Sequence, residues 1–380
     1  MHRFLRLFVL AAAPLGAQQL TGYSGANAAA QRTAEQAAIA RPDPARAREF
    51  SRALSDGPHV AGTPGQARTR DYVIEQMRAM GLTTEVREYQ VWMPHPTSLE
   101  VWVNGHSLNL REGAVAGDAT SARYPEPPPI NGYGGSGDAE GEVVYVNYGL
   151  VEDYAILDSL GVSVRGKIAV ARYGRSFRGI KAREAEKHGA LALLIYSDPQ
   201  DDGYVQGDVY PDGPWRPAQG IQRGSVMNGA GDPSTPGYPS KAGAPRIALD
   251  QMPVPHIPVI PIGYGNAAEL LALVRGTAIP RGWQGGLPFR YHVGPGPTRA
   301  RVKVVTDTAT AAHKAIWNTF GVVRGTELPD EIVIIGGHRD AWGPGAGDNV
   351  GGVVAILEAA RAVAEQMKAG WKPKRTMLFA

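Results

Sequence analysis

The sequence contains no cysteine. That one absence excludes disulfides, thiolate metal sites and cysteine nucleophiles, so the fold rests on core burial and any metal must be held by His, Asp or Glu. Net charge is almost missing as well, with 39 Lys and Arg against 36 Asp and Glu. Despite a sequence pI near 9.0, such a balance gives no electrostatic footprint for nucleic acid or for an anionic membrane. Apolar runs of membrane-spanning length are also lacking. The nearest approach is the opening stretch "MHRFLRLFVLAAAPLGAQQL", where Arg3 and Arg6 precede an apolar run from Leu7 to Ala13 and small residues end at Ala17. A basic start, a short apolar stretch and a small-residue cleavage site predict a secretory signal over residues 1–17. The expected product is a secreted or periplasmic protein with no membrane span after cleavage.

What is abundant is glycine (48) and proline (30) in 380 residues, enough chain for two domains with many turns. Residues 18–40 fit either a leader or a first helix. Two helical patterns follow, marked by Phe50 and Leu54 and then by Tyr72, Val73, Met77 and Met80, around the loop "DGPHVAGTPG". "TTEVREYQVWMP" alternates as a half-buried strand does, and "SLEVWVNGHSLNL" reads as a hairpin turning at Asn-Gly. Near residue 116 the texture changes to a Pro/Gly-rich linker, and alternating strands and helices follow. A second linker precedes "RARVKVVTD", "AIWNTFGVVRG" and "EIVIIGGH", a helix over 349–368 and the strand "RTMLFA". The two linkers divide the chain into stretches 18–115, 116–295 and 296–380.

Chemistry concentrates in "GGHRDAWGPGAGDNVGG" (336–352). The apolar run before it predicts a central strand, and His338 and Asp340 follow at its carboxyl end, where open α/β sheets place ligands. Asp348 stands at the mouth of the next helix. Three readings compete. Asp348 serves as a plain helix cap beside a loop histidine; or the glycines cradle a phosphate; or His338 and Asp348 share a metal. The phosphate reading fails because Val350 occupies the place of the third glycine, no Lys-Ser/Thr pair follows, and Asp348 would repel the anion. In the metal reading, Asp340 accepts the proton of the imidazole nitrogen that does not bind metal, and Asp348 can bridge two ions.

This segment, followed by "KAGWKPKRTMLFA", resembles the metal-binding region of the zinc peptidases that include glutamate carboxypeptidase, the N-acetylated α-linked acidic dipeptidases and, as a non-peptidase relative, the transferrin receptor. "PHVAGT" (58–63) is similar to that family's amino-terminal segment, while "YVNYGLVEDY", "GKIAVARYGRSFRGIKAREAEKHGA", "YPDGPW" and "QRGSVMNGAGDPSTPGYP" resemble its inserted protease-associated (apical) domain. The resemblance implies an α/β fold, a mixed sheet flanked by helices with a β-rich apical insertion, and two zinc ions hydrolysing small peptides. His338 matches the terminal ligand of one zinc, Asp348 the bridging carboxylate and Asp340 the acid supporting the histidine. Arg178 matches the residue gripping a peptide's terminal carboxylate, with Phe177 and Ser225 lining that pocket. Thr235 and Tyr238 match positions holding a structural calcium through oxygen. A homodimer is compatible with the same resemblance. Ser225 stands where acidic-dipeptide enzymes have Asn, which weakens a strict glutamate preference. The family's general-base Glu and its other zinc ligands have no counterparts among these residues, so the 380-residue chain is expected to be inactive as it stands. A receptor-like or peptide-binding scaffold of the same fold, without catalysis, is the alternative.

Overall fold

A computed structural model describes residues 20–124, 127–307 and 311–380; the expected signal at 1–17 lies outside the described residues. Helix α1 (Gly25–Ile39) opens the chain. Helix α2 (Pro44–Leu54) starts at Asp43, whose carboxylate accepts a bond from Ala45 N at 2.9 Å, with Pro44 at the first helical position. Helix α3 (Pro64–Ala79) also has proline at its first position, after Thr63, and buries Val73, Ile74 and Met77. Strand β1 (Thr83–Trp92) leads to the hairpin of β2 (Pro96–Val103) and β3 (His106–Ser107). Its turn residues Asn104 and Gly105 both have positive φ, the geometry that Asn-Gly serves.

The short α4 (Ala119–Arg123) and β4 (Asn131–Gly132) come next. An alternating series then runs β5 (Gly137–Tyr145), α5 (Val151–Ser159), β6 (Ile168–Arg172), α6 (Arg178–Lys187), β7 (Ala192–Tyr196), α7 (Pro199–Asp202), β8 (Gly224–Ser225), β9 (Val259–Ile262) and α8 (Tyr264–Leu271). After a small ladder of β10 (Thr277–Ala278) and β11 (His292–Gly294) come β12 (Arg299–Thr306), β13 (His313–Val323), β14 (Leu328–Ile335), α9 (Gly352–Lys368) and β15 (Arg375–Phe379).

These strands form two large sheets. One has seven strands in the order β3-β2-β12-β5-β6-β7-β9, and β5, β6, β7 and β9 are parallel. "IAVAR" and "ALLIY" are continuous apolar runs because both faces of β6 and β7 are covered, and all ten positions are buried. This sheet reaches beyond the 116–295 expected for the insertion. The hairpin β2–β3 and strand β12 belong to it, with β12 pairing antiparallel to both β2 and β5. Pairing such as Ala300 opposite Val103 and Arg299 opposite Glu142 joins residues far apart in sequence, and local composition carries no trace of it.

The second sheet has the order β1-β13-β15-β14. β1 and β13 pair antiparallel along their whole length, from Thr83 opposite Val322 to Trp92 opposite His313, and β14 runs parallel to β15. Phe50, Leu54, Val73 and Met77 from α2 and α3 meet Val353, Ile356, Leu357 and Ala360 of α9 in its core. The expectation that "EIVIIGG" is a central strand is corrected here. β14 is the edge of the sheet, and Ile332, Val333, Ile334 and Ile335 are 39–62% exposed. An apolar run encodes burial on both faces, but only β15 pairs with β14 among the described residues. Among those residues no helix is long and apolar enough to cross a membrane.

Candidate metal centre

β14 delivers the chain to Gly336 and Gly337, after which His338 to Gly351 fold back as a loop ending in a wide helical turn over Ala346–Gly351. Gly345 makes the return possible. Its φ is +58°, and a Cβ there would lie 2.3 Å from the Ala341 Cβ and 2.7 Å from the Asp348 carbonyl oxygen. The Asn349 side-chain amide donates to the His338 carbonyl at 2.9 Å and ties the two ends of the loop together.

The imidazole of His338 is thereby held between two acids. Nδ1 lies 3.0 Å from the main-chain oxygen of Asp340 and 3.4 Å from its carboxylate. A carbonyl can only accept, so Nδ1 carries the hydrogen, and the main chain of Asp340 is a closer partner than its side chain. Nε2 faces the Asp348 carboxylate at 3.1 Å. An imidazole nitrogen and a carboxylate oxygen at that distance need something positive between them: a second proton or a cation. The N-cap positions of the helical turn and of α9 are Gly345 and Gly351 rather than Asp348, which speaks against the plain-cap reading, and the Asp348 side chain is 91% exposed. Among the described residues no group of three or more His, Asp or Glu is suited to a metal.

The other predicted site residues gather in the seven-stranded unit. Arg178 is the first residue of α6, with Phe177 before it and the Tyr173 ring beneath; the guanidinium lies 5.7 and 5.9 Å from the two ring centres. The guanidinium makes a long bond of 3.5 Å to the Ser225 carbonyl, and its buried Nε has no partner among the described residues. Gly224 stands beside it, and a Cβ there would lie 2.3 Å from the guanidinium and push it from this position. Strand β8, which carries Ser225, pairs with β4. A Cβ at Gly132 of β4 would come 3.0 Å from the Trp342 ring of the metal loop. The arginine pocket and the metal loop are thus neighbours through β4.

Thr235 and Tyr238 lie apart from this pair. The Thr235 hydroxyl is bonded to Ser240 at 2.6 Å, and the Tyr238 hydroxyl donates to the Pro245 carbonyl at 2.5 Å. The nearby acid, Asp232, already accepts from Ser234, from the Trp92 amide and from Arg246 at 2.9 Å.

Residues 139–228 match the PA domain family, and residues 318–380 match peptidase family M28. A probable glutamate carboxypeptidase (VP8) of Zea mays is 38% identical over 341 residues, which cover 86% of this chain and 44% of that one. The aminopeptidase NAALADL1 of Mus musculus is 35% identical over 368 residues, covering 89% and 48%. The chain belongs to peptidase family M28, with a PA domain. A solved M28 peptidase precursor from Shewanella amazonensis SB2B shares the fold of this M28 chain at a TM-score of 0.54 and 16% identity, over 93% of this chain and 66% of that one. The chain spans less than half the length of these curated relatives.

Two residues that hold the candidate metal loop escaped the sequence reading. Arg339 points inward beneath the loop, donating to Thr319 Oγ1 at 2.9 Å and the Trp317 carbonyl at 3.1 Å, both on β13. Burial lowers its pKa to about 10. His59 of "PHVAGT" is fully buried and accepts the Ala341 amide on its carbonyl at 3.2 Å, while its Nδ1 pairs with the Gly57 carbonyl. Burial holds its pKa below the ordinary histidine value. A lone arginine between a His and an Asp, and a His between Pro and Val, give no periodic signal of burial.

Proposed function

We propose that this chain is part of an exported zinc exopeptidase in which His338, through Nε2, and Asp348, through its carboxylate, are donors to the metal centre, with Asp348 shared between two ions. The observation that carries the reading is the 3.1 Å approach of Nε2 to Asp348 Oδ1 while Nδ1 is committed to Asp340. One imidazole and one carboxylate are the donor types zinc takes, so these residues fit the ion. Bound zinc would polarise a scissile carbonyl and lower the pKa of a water. Asp340 holds the tautomer that presents Nε2 outward. Arg178, at the amino end of α6 with an unpartnered Nε, receives the peptide's terminal carboxylate. Phe177 and Ser225 form the walls of that pocket, and the short serine leaves it less selective for glutamate than an amide would.

Zinc takes three or four protein donors, and this reading names two among the described residues. The remaining donors and a general base are required from elsewhere, and the relatives carry as much sequence again outside the matched stretch. Zinc-loaded 380-residue chain is therefore expected to release no amino acid from di- and tripeptides; zinc-dependent hydrolysis by it would contradict the two-donor reading. A free-acid peptide should bind more tightly than its C-terminal amide, and Arg178→Ala should abolish the difference. The reading as a non-catalytic peptide-binding scaffold is favoured by one observation, the lack of a third donor among the described residues. Thr235 and Tyr238 would offer oxygen donors to a structural calcium, and their hydroxyls are bonded to Ser240 and to the Pro245 carbonyl. Export is tested by sequencing the amino terminus of the mature protein, which should begin near residue 18.

A further inference from the structure

A second cavity adjoins the metal loop. Among the described residues it is a cleft of about 690 Å³, within the range of small-ligand and peptide sites. Its floor includes Pro58, next to the buried His59, and Pro344, four residues before Asp348. Its walls come from three separate stretches of chain. Trp215 and Tyr210 stand on the loop after α7, where the Tyr210 amide donates to the Trp215 carbonyl at 2.8 Å. Tyr124 faces them from the end of α4 and is tied to the α2–α3 loop by its bond to Asp56 at 2.9 Å. A bond from the Tyr210 hydroxyl to Asp118 at 2.8 Å joins the facing walls.

The charged groups of the cleft are engaged with one another or with the frame. Arg216 pairs with Asp202 at 2.7 Å, and Glu112 pairs with Arg223 at 2.7 Å while accepting the Ile221 amide. The cleft therefore presents aromatic and proline surface with balanced charge. Such a lining rewards burial of an uncharged side chain, and its two arginines, Arg111 and Arg216, are matched by Glu112 and Asp202.

We propose that this cleft is a side-chain subsite that takes a large apolar residue, an aromatic one above all, of a peptide whose main chain lies at the metal loop. The inference rests on the reading of the metal loop as a peptide-processing site and adds to it a substrate class, apolar rather than acidic peptides. Trp215 is the residue that sets the preference.

The test is calorimetric binding of three probes to the zinc-loaded chain: acetyl-Ala-Phe-Ala, acetyl-Ala-Leu-Ala and acetyl-Ala-Glu-Ala. The phenylalanine peptide should bind best, about tenfold more tightly than the glutamate peptide. Trp215→Ala should bring the two together, and Trp215→Phe, which keeps a flat ring, should retain most of the preference and guards against loss of folding in the alanine variant. Arg178→Ala should weaken all three peptides alike, because each keeps its terminal carboxylate. If Arg178→Ala has no effect while the Trp215 variants behave as stated, the carboxylate grip fails and the subsite stands. Failure of the phenylalanine peptide to bind, tighter binding of the glutamate peptide, or a preference unchanged in Trp215→Ala would overturn the subsite.

Discussion

The two sheets of this molecule use similar sequence to opposite effect. "ALLIY" in β7 and "IVII" in β14 are both unbroken aliphatic runs. Every residue of β7 is buried, with a parallel neighbour on each side, whereas the four residues of β14 are exposed and, among the described residues, have β15 on one side only. Strand composition thus reports the environment a strand is suited to, and pairing decides whether it is met. The exposed edge is also the strand that leads into His338, so the candidate metal loop hangs from the less consolidated of the two sheets. Arg339 and His59 supply the anchoring that the edge does not.

The largest expected contrast is in hydrogen exchange. Amides of β6 and β7 should exchange about a thousandfold more slowly than those of β14, because the former open only with their whole unit; equal protection would remove the contrast. Core truncation comes next. Leu194→Ala in β7 should cost about 2–5 kcal/mol by denaturant unfolding, and Ile334→Ala in β14 no more than about 0.5 kcal/mol. Comparable losses would show that β14 is covered in solution. Arg339→Ala should cost about 1.5–3 kcal/mol, since it removes a charged donor from the buried Thr319 hydroxyl and the part-buried Trp317 carbonyl on β13. It should also raise exchange at the Ala341 amide.

The smallest effect is a pH slope located in the buried unit. Lys181 is fully buried, its ammonium donating to the Tyr148 and Gly174 carbonyls at 2.6 and 2.8 Å, and burial lowers its pKa from 10.5 to about 8. Between those two values the unfolded chain binds more protons than the folded one, so stability should rise with pH, by at most about 1.4 kcal/mol per unit. Below about pH 8 the full cost of the buried charge is present and this slope vanishes. Lys181→Met should flatten the rise; an unchanged slope would place its origin elsewhere.

Much of this was legible from residue order alone. The alternation of apolar strands and helices over 137–271 and the Asn-Gly hairpin at 104–105 are local signals, and the structure has both. The approach of His338 to Asp348 was legible because small residues between them permit a tight return, and Gly345 provides it. What escaped was non-local. The insertion of β12 between β2 and β5 depends on partners far apart in sequence. So do the seat of Arg339 on β13 and of His59 against Ala341. The supporting role given to the Asp340 side chain falls more closely to its main-chain oxygen, a distinction that residue type cannot make.

The central claim is that His338 and Asp348 grip one ion together. Zinc affinity, measured by competition with a chromogenic chelator for the unaltered chain and for His338→Ala and Asp348→Ala, tests it most directly. Each variant should bind at least about tenfold more weakly, the scale on which even supporting residues of metal sites act. Undiminished binding in both variants would contradict the account.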